Sequence, residues 1–270
     1  MSKYLFPYLN ILPPILYKYR NWDNKYHKDV LLKGQFYLSN PKSFEDEYDC
    51  NIPLDFESIK NRDIKRRYLI YSERNNSHFS RQQHKEFVEY WFAKGMLRNI
   101  NECRKIEKHF FDKFDKQAGV LSLALKPDIE EMWTKYANNH KGFCVGVNFK
   151  QIRKDTKLFD SYGYVRYKKK LPSISPIINS KTEDDTWTKQ ISTKLIKWSF
   201  EKEYRIFKMS FKSSLTEKDR TIIIPPKYFT EIILGYNMDN SSKNEIYAII
   251  KDKYPNIKII ETETNGRKGK

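Results

Sequence analysis

Apolar and polar positions in this chain alternate in short bursts, recur at three- and four-residue steps through one long stretch, and then alternate again. The sharpest change of period falls at Trp198-Ser-Phe-Glu201-Lys-Glu203-Tyr-Arg205-Ile-Phe207, where a helical pattern gives way to a strand pattern. Alternation puts Glu203, Arg205 and Phe207 on one strand face and Tyr204 and Ile206 on the other. Charged groups that share a face with a large aromatic ring suggest the edge of a cleft. Two carboxylates one residue apart make this the first place to look for chemistry.

The same reading predicts the other elements. Pro13-Pro14 sets up an extended entry, and Ile15 to Arg20 alternates as a first strand. Residues 23–32 read as a short helix with Gly34 as its stop, and 35–39 as a second strand. A turn at Asn40-Pro41-Lys42-Ser43 leads into the acidic loop Phe44-Glu-Asp-Glu-Tyr-Asp49. Residues 55–116 carry the helical period through Val88, Trp91, Phe92, Met96, Ile100, Cys103, Ile106, Phe110 and Phe114, with a break expected near Gly95 or 99–101. Strands are expected at 120–124, 143–149, 162–167, 203–209, 221–224, 231–234 and 257–260, and helices at 129–137 and 242–254. A capping box at Ser180-x-x-Glu183 precedes a stripe of Trp187, Ile191, Leu195 and Trp198. Gly142, after Asn138-Asn-His-Lys, suits a turn with positive φ. The sum is one α+β domain over 1–260, with a helical layer inserted at 55–116 and a flexible basic tail at 261–270. The strands lack the regular βαβ rhythm of a doubly wound fold.

The 270 residues carry 51 Lys+Arg against 34 Asp+Glu, a net charge of +17, so anionic partners are favoured and nucleic acid is the obvious one. Lys, Asn, Ile and Tyr share AT-rich codons, so genome composition offers a competing source of that charge. Arg166 with Lys168, Lys169 and Lys170, interleaved with Tyr164 and Tyr167, is the best nucleic-acid patch; its plain alternative is a solvated strand end. Cys50, Cys103 and Cys144 are too scattered for a zinc site or a disulfide framework, and read as buried thiols in a reducing cytoplasm. No apolar run is long enough for a membrane span, and no Gly-rich phosphate loop points to a nucleoside triphosphatase.

Leu16-Tyr-Lys-Tyr-Arg20, Tyr37-Leu-Ser-Asn-Pro-Lys-Ser-Phe44 with Tyr48-Asp49-Cys50, Met132-Trp133-x-x-Tyr136-Ala137-x-x-His140-x-Gly142-Phe-Cys144 and Glu201-Lys-Glu203-Tyr-Arg205 together closely resemble a bacterial family of domains of unknown function, DUF 2971. The family reads Asn-Asp-Pro after the Phe, whereas here Phe44 precedes Glu45-Asp46-Glu47 and only Asp46 keeps its place. The order of elements also resembles, more distantly, the ADP-ribosyltransferases. That resemblance implies two small sheets split around a cleft for NAD, the substrate. It implies that Tyr17, Lys18, Tyr19 and Arg20 on the early strand, and Ser122 on the middle one, hold the dinucleotide. Glu203 and Glu201 would be the catalytic carboxylates at the late strand. A carboxylate can stabilise the oxocarbenium-like ribose, a second can orient or deprotonate the acceptor, and an Arg such as Arg205 can meet the pyrophosphate. A macromolecular acceptor such as nucleic acid, a toxin or phage-defence setting, and a neutralising or regulatory protein partner follow from the same reading.

Each residue has a plainer role beside that one. Glu203 can pair with Arg205 on its own face, and Glu201 can simply be exposed. Trp133 and Tyr136 can be core rather than stacking platforms, and His140 can shape its turn or contact a ligand. A metal-dependent nuclease using Asp46, Asp49 and the Glu201/Glu203 pair, and a non-catalytic binding module, are the rival functions.

Overall fold

The computed structural model describes residues 12–159, 161–177 and 183–263. The expected capping box at Ser180 and the end of the basic tail lie outside them. Eleven strands are assigned among the described residues: β1 (Leu16–Arg20), β2 (Gln35–Tyr37), β3 (Ala118–Ala124), β4 (Phe143–Val147), β5 (Ser161–Tyr164), β6 (Arg166–Lys168), β7 (Thr193–Leu195), β8 (Glu203–Met209), β9 (Thr221–Ile223), β10 (Phe229–Leu234) and β11 (Lys258–Glu261). The helices are α1 (Lys25–Leu32), α2 (Asn61–Asn75), α3 (Arg81–Ala93), α4 (Ile100–Gln117), α5 (Glu130–Tyr136), α6 (Phe149–Asp155), α7 (Glu183–Ser192), α8 (Glu217–Arg220) and α9 (Asn240–Lys253). The fold is mixed α and β around a central sheet.

Seven strands form that sheet, in the order β11-β10-β4-β1-β3-β8-β5, with β2/β9 and β6/β7 as separate ribbons. Its neighbours are antiparallel except β10 and β11. The seam between β1 and β3 is thin. A single registered pair, Tyr17 with Ala124, joins them, whereas β3 and β8 register along all of Ala118 to Ala124. The expected pair of small sheets is thus two halves of one sheet that part beyond one pairing. Past that point the edge of β3 bonds instead to Ser39, which exchanges both backbone hydrogen bonds with Val120 at 2.8 and 2.9 Å.

The two sheet faces follow the alternation. Leu16, Leu121, Leu123, Phe143, Val145, Tyr204 and Ile206 join α1, α6 and α9 in the main core. On the other face, Tyr17, Tyr19 and Ala124 pack against Trp133 of α5, while Val120 and Phe207 pack with Phe114 of α4 and Ile191 of α7. The helical layer α2–α3 holds its own small core of Ile59, Ile64, Tyr68, Val88 and Leu97.

Several expected boundaries moved for identifiable reasons. The long helical run breaks at Gly95 and Asn99 as expected, but also before Ser80, which caps α3 through a box with Gln83. Residues 162–167 are two strands, since β5 pairs with β8 and β6 with β7. The stripe from Trp187 to Trp198 is not one helix: α7 ends at Ser192, and β6 recruits Thr193 to Leu195 into a parallel ribbon. Phe149 opens α6 rather than closing β4, because Asn148 caps it by accepting from the Gln151 N–H.

Gly34 has the positive φ expected of it, +64°, and Gly142 does not. Gly142 answers to contact instead: a Cβ there would lie 2.1 Å from the Arg20 carbonyl oxygen and 3.0 Å from that of Ala137. Gly142→Ala must therefore push β1 away from the 138–142 turn. It is expected to cost about 2–4 kcal/mol, as an overpacked backbone contact that no rotamer relieves. Gly95→Ala meets nothing within 4 Å and pays only for its φ of +61°, about 1–2 kcal/mol. Urea unfolding of the two variants checks the order.

Candidate functional site

Strand β8 carries a buried ionic cluster. Glu203 and Arg205, two residues apart, face the same way and pair bidentately, with Nε to Oε1 at 2.7 Å and Nη2 to Oε2 at 3.0 Å. Arg205 also donates to an Asp49 carboxylate oxygen at 2.7 Å and to the Ile191 carbonyl at 2.6 Å. Lys194 of β7 completes the group: its ammonium lies 2.5 Å from Glu201, 3.2 Å from Asp49 and 3.5 Å from Glu203. Tyr136 of α5 donates to the other oxygen of Glu201 at 2.7 Å. All five charged residues are at most 5% exposed. The expectation that Glu201 is exposed is corrected here. A left-handed Lys202, φ 43°, turns the backbone between the two glutamates and tucks Glu201 under Lys194 and Tyr136.

Burial alone would raise the pKa of Glu203, but Arg205 and Lys194, with a hydrogen bond from Ser122, hold it down to about 2. Burial would lower that of Lys194, and Glu203 and Asp49 outweigh it, so its pKa is raised. Glu203 is thus a permanently ionised group rather than a proton shuttle at neutral pH. Burial, then Glu201, pushes the Tyr136 phenol up, so it stays a donor.

This cluster forms one wall of a cavity of about 210 Å³. The cavity opens where β1 and β3 part, so consecutive residues of both strands, 17–20 and 120–124, line it. Lys18 reaches across the gap to the Ser122 carbonyl at 2.6 Å. Burial and then Arg20 pull its pKa well down. The buried Nε of Arg20 has no hydrogen-bond partner among the described residues, and burial lowers its pKa to about 10. The opposite rim holds Phe44, Glu45 and Asp46 from the acidic loop, Lys135 and Tyr136 from α5, and Trp198.

The cavity therefore gathers Tyr17, Lys18, Tyr19, Arg20, Ser122, Tyr136, Glu201 and Glu203 from four separate stretches of sequence. Others named from sequence lie elsewhere. Trp133 is core, edge-on to Tyr19 and stacked at 8° on His140. His140 pairs with Glu130 at 2.8 Å behind that ring. Arg205 stands behind the carboxylates and clamps them. Of the two tyrosines of β1, Tyr17 spends its hydroxyl on Glu231 at 2.7 Å and Tyr19 on the Lys126 carbonyl at 2.9 Å, so both offer ring surface. Arg166, Lys168, Lys169 and Lys170 are exposed and outside the cavity lining, while Tyr167 between them turns inward to accept the Glu203 N–H at 2.9 Å. Sequence reasoning passed over Lys194 because its strand was read as helix, and Trp198 because it was counted as part of an apolar stripe.

Among the described residues no group of three or more His, Cys, Asp or Glu is arranged to hold a metal ion. The place such an ion would take between Asp49, Glu201 and Glu203 is filled by the Lys194 ammonium. No described helix is long and apolar enough to cross a membrane.

Residues 132–206 match the sequence profile of the family described as "Protein of unknown function (DUF2971)". That stretch runs from α5 to β8 and holds Tyr136, Lys194, Glu201, Glu203 and Arg205, so it supports the family resemblance over one wall of the cavity. No curated protein and no solved structure matches the chain.

Glu203→Gln is expected to destabilise the fold by about 3–5 kcal/mol, because it leaves Arg205 buried beside a neutral amide. Urea unfolding measures it. His27 gives a pH signature beside Arg20: burial, then Arg20, lowers its pKa to about 4. The unfolded chain then binds more protons between pH 6.5 and 4, so stability falls as pH drops through that window. His27→Gln is expected to flatten that part of the stability–pH curve, as thermal melts at fixed ionic strength will read.

Proposed function

We propose that the cavity binds NAD and that the protein transfers ADP-ribose to a macromolecular acceptor inside the cell, nucleic acid first among the candidates. The observation that carries this reading is Arg20, whose buried Nε has no partner among the described residues, in the same cavity as a fixed carboxylate, Glu203, with Ser122 hydrogen-bonded to it. Among the described residues Arg20 and Lys18 form no ion pair with a carboxylate, and they suit a diphosphate. Across the gap, Asp49, Glu201 and Glu203 outnumber Lys194 and Arg205 by one charge. That excess suits a developing ribosyl cation.

In this reading the bond between ribose C1′ and the nicotinamide nitrogen breaks, and its electron pair leaves with nicotinamide. Glu203, already desolvated and oriented by Arg205, faces the positive charge without having to reorganise. The acceptor oxygen or nitrogen bonds to C1′, and its proton passes to Glu201, the second carboxylate on the cavity wall, which Tyr136 and Lys194 position. The exposed Arg166 and Lys168–170 strip offers a phosphate-binding surface. The nuclease alternative fits less well, since its carboxylates are already closed on Lys194.

The test is incubation with adenylate-labelled NAD and, separately, RNA, DNA and lysate protein. Label transfer is expected in the intact chain and is expected to fall at least a hundredfold in Arg20→Gln, which strands no buried acid, and in Glu203→Gln assayed below its melting transition. NAD neither bound nor consumed with any acceptor would overturn the reading.

A further inference from the structure

The helical layer carries a surface that neither the cavity nor the cores account for. Helices α2 and α3 pack together over Ile64, Tyr68 and Val88. Three aromatic residues of the pair, Tyr71, Phe87 and Tyr90, join none of the core clusters among the described residues. Tyr71 is 55% exposed and Tyr90 56%. Their rings are not scattered. Tyr71 stacks on Phe87 across the two helices, with ring centres 6.2 Å apart and planes 19° from parallel. Phe87 meets Trp91 at 6.1 Å, and Trp91 meets Tyr90 edge-on at 5.4 Å. Four neighbouring rings thus run from one helix to the other and end in an exposed tyrosine on each. An apolar surface of that kind, left open to water, marks a place where something docks.

Helical spacing adds cations to the same face. Arg67, Tyr71 and Arg74 stand at i, i+4 and i+7 on α2, and Phe87, Tyr90 and Lys94 at i, i+3 and i+7 along α3 and its cap. The three cations are exposed, and none forms an ion pair among the described residues. Lys94 lies 5.3 Å from the centre of the Tyr90 ring. Glu73 and Glu89 stand two residues from Tyr71 and Phe87, on the far sides of their helices, and Glu89 pairs there with Lys65 at 2.7 Å. Asp63 and Glu86 border the face and are held by Arg62 at 3.6 Å and Gln82 at 2.9 Å.

A ligand that satisfies this face must bring anions and flat rings together. A single strand of nucleic acid does so: its phosphates meet Arg67, Arg74 and Lys94, and its unpaired bases stack on Tyr71 and Tyr90. In a duplex the bases already stack on one another, and only the phosphates remain to be bound. An acidic peptide answers the cations alone. A second copy of this chain, docked by the same face, would set these cations against their own kind. We infer that the α2–α3 face binds single-stranded nucleic acid. The face shares no residue with the strip of Arg166 and Lys168–170, and it stands whether or not the cavity takes NAD.

The test is fluorescence polarisation of a labelled oligothymidylate and of a labelled duplex across a salt series, with no NAD present. The intact chain is expected to bind the single strand at least tenfold more tightly than the duplex. Tyr71→Leu with Tyr90→Leu keeps apolar bulk and removes the rings, and is expected to weaken the single strand at least tenfold while leaving the duplex within about twofold. Tyr71→Phe with Tyr90→Phe keeps the rings and is expected to bind as the parent chain does. Arg67→Gln with Arg74→Gln is expected to weaken both ligands and to lower the salt slope by about one per arginine. All four positions are exposed, and circular dichroism melts check that each variant is folded. Equal affinity for strand and duplex, unaltered strand binding in the folded leucine variant, or loss of strand binding only on Lys168→Gln with Lys169→Gln and Lys170→Gln would each overturn the inference. Phosphatidylserine vesicles are the remaining arm: binding to them but not to the oligonucleotide, lost in the leucine variant, would give the face to a lipid surface and overturn the inference as well.

Discussion

Five buried charges, Asp49, Lys194, Glu201, Glu203 and Arg205, are the constraint around which the rest is arranged. Each costs several kcal/mol to remove from water, and Coulomb attraction offsets that only where geometry and extra hydrogen bonds are good. Here they are good. Arg205 uses its guanidinium on Glu203, Asp49 and the Ile191 carbonyl, and Lys194 touches all three carboxylates. The participants come from the loop after Phe44, from β7, and from β8 and the turn that leads into it. None of those segments can shift alone without leaving a charge unpaired in the interior. An ion cluster of this kind contributes less net stability than an apolar core of equal size, but it penalises wrong arrangements heavily.

The cavity inherits its character from that clamp. On the β8 side every charge is spoken for, so the wall is rigid and its electrostatics fixed. On the β1 side, Lys18 and Arg20 have burial without an ion pair among the described residues, and burial pulls both pKa values down. A fold that keeps two such cations beside a gap in its own sheet leaves stabilisation that an anionic ligand can recover. The gap has a simple origin: β1 is fully registered with β4 but meets β3 at one pair, and Ser39 takes over the edge of β3 beyond it.

Much of this was legible in the residues. The alternation at 203–207 gave the faces of β8, because a strand's side chains have a period of two whatever it packs against. The pairing of Glu203 with Arg205 followed from the same period. The early strand, the acidic loop and the break at Gly95 also came directly from local chemistry. The helix expected through Leu195 and Trp198 did not survive, since β6 offered Thr193 to Leu195 a ladder that no local pattern could announce. Gly142 was assigned to a positive φ when its true constraint is the carbonyl of Arg20, more than a hundred residues earlier.

The sequence by itself thus determined which residues alternate and that two carboxylates stand one residue apart, because these depend on neighbours along the chain. Only the tertiary structure decided that Glu201 is buried, that Lys194 closes the carboxylates against a metal, that Trp133 and His140 belong to the core, and that Asp46 and Trp198 line one cavity. Those outcomes depend on which distant group is within about 3 Å, and on how much water the packing removes. Periodicity along a chain carries neither quantity.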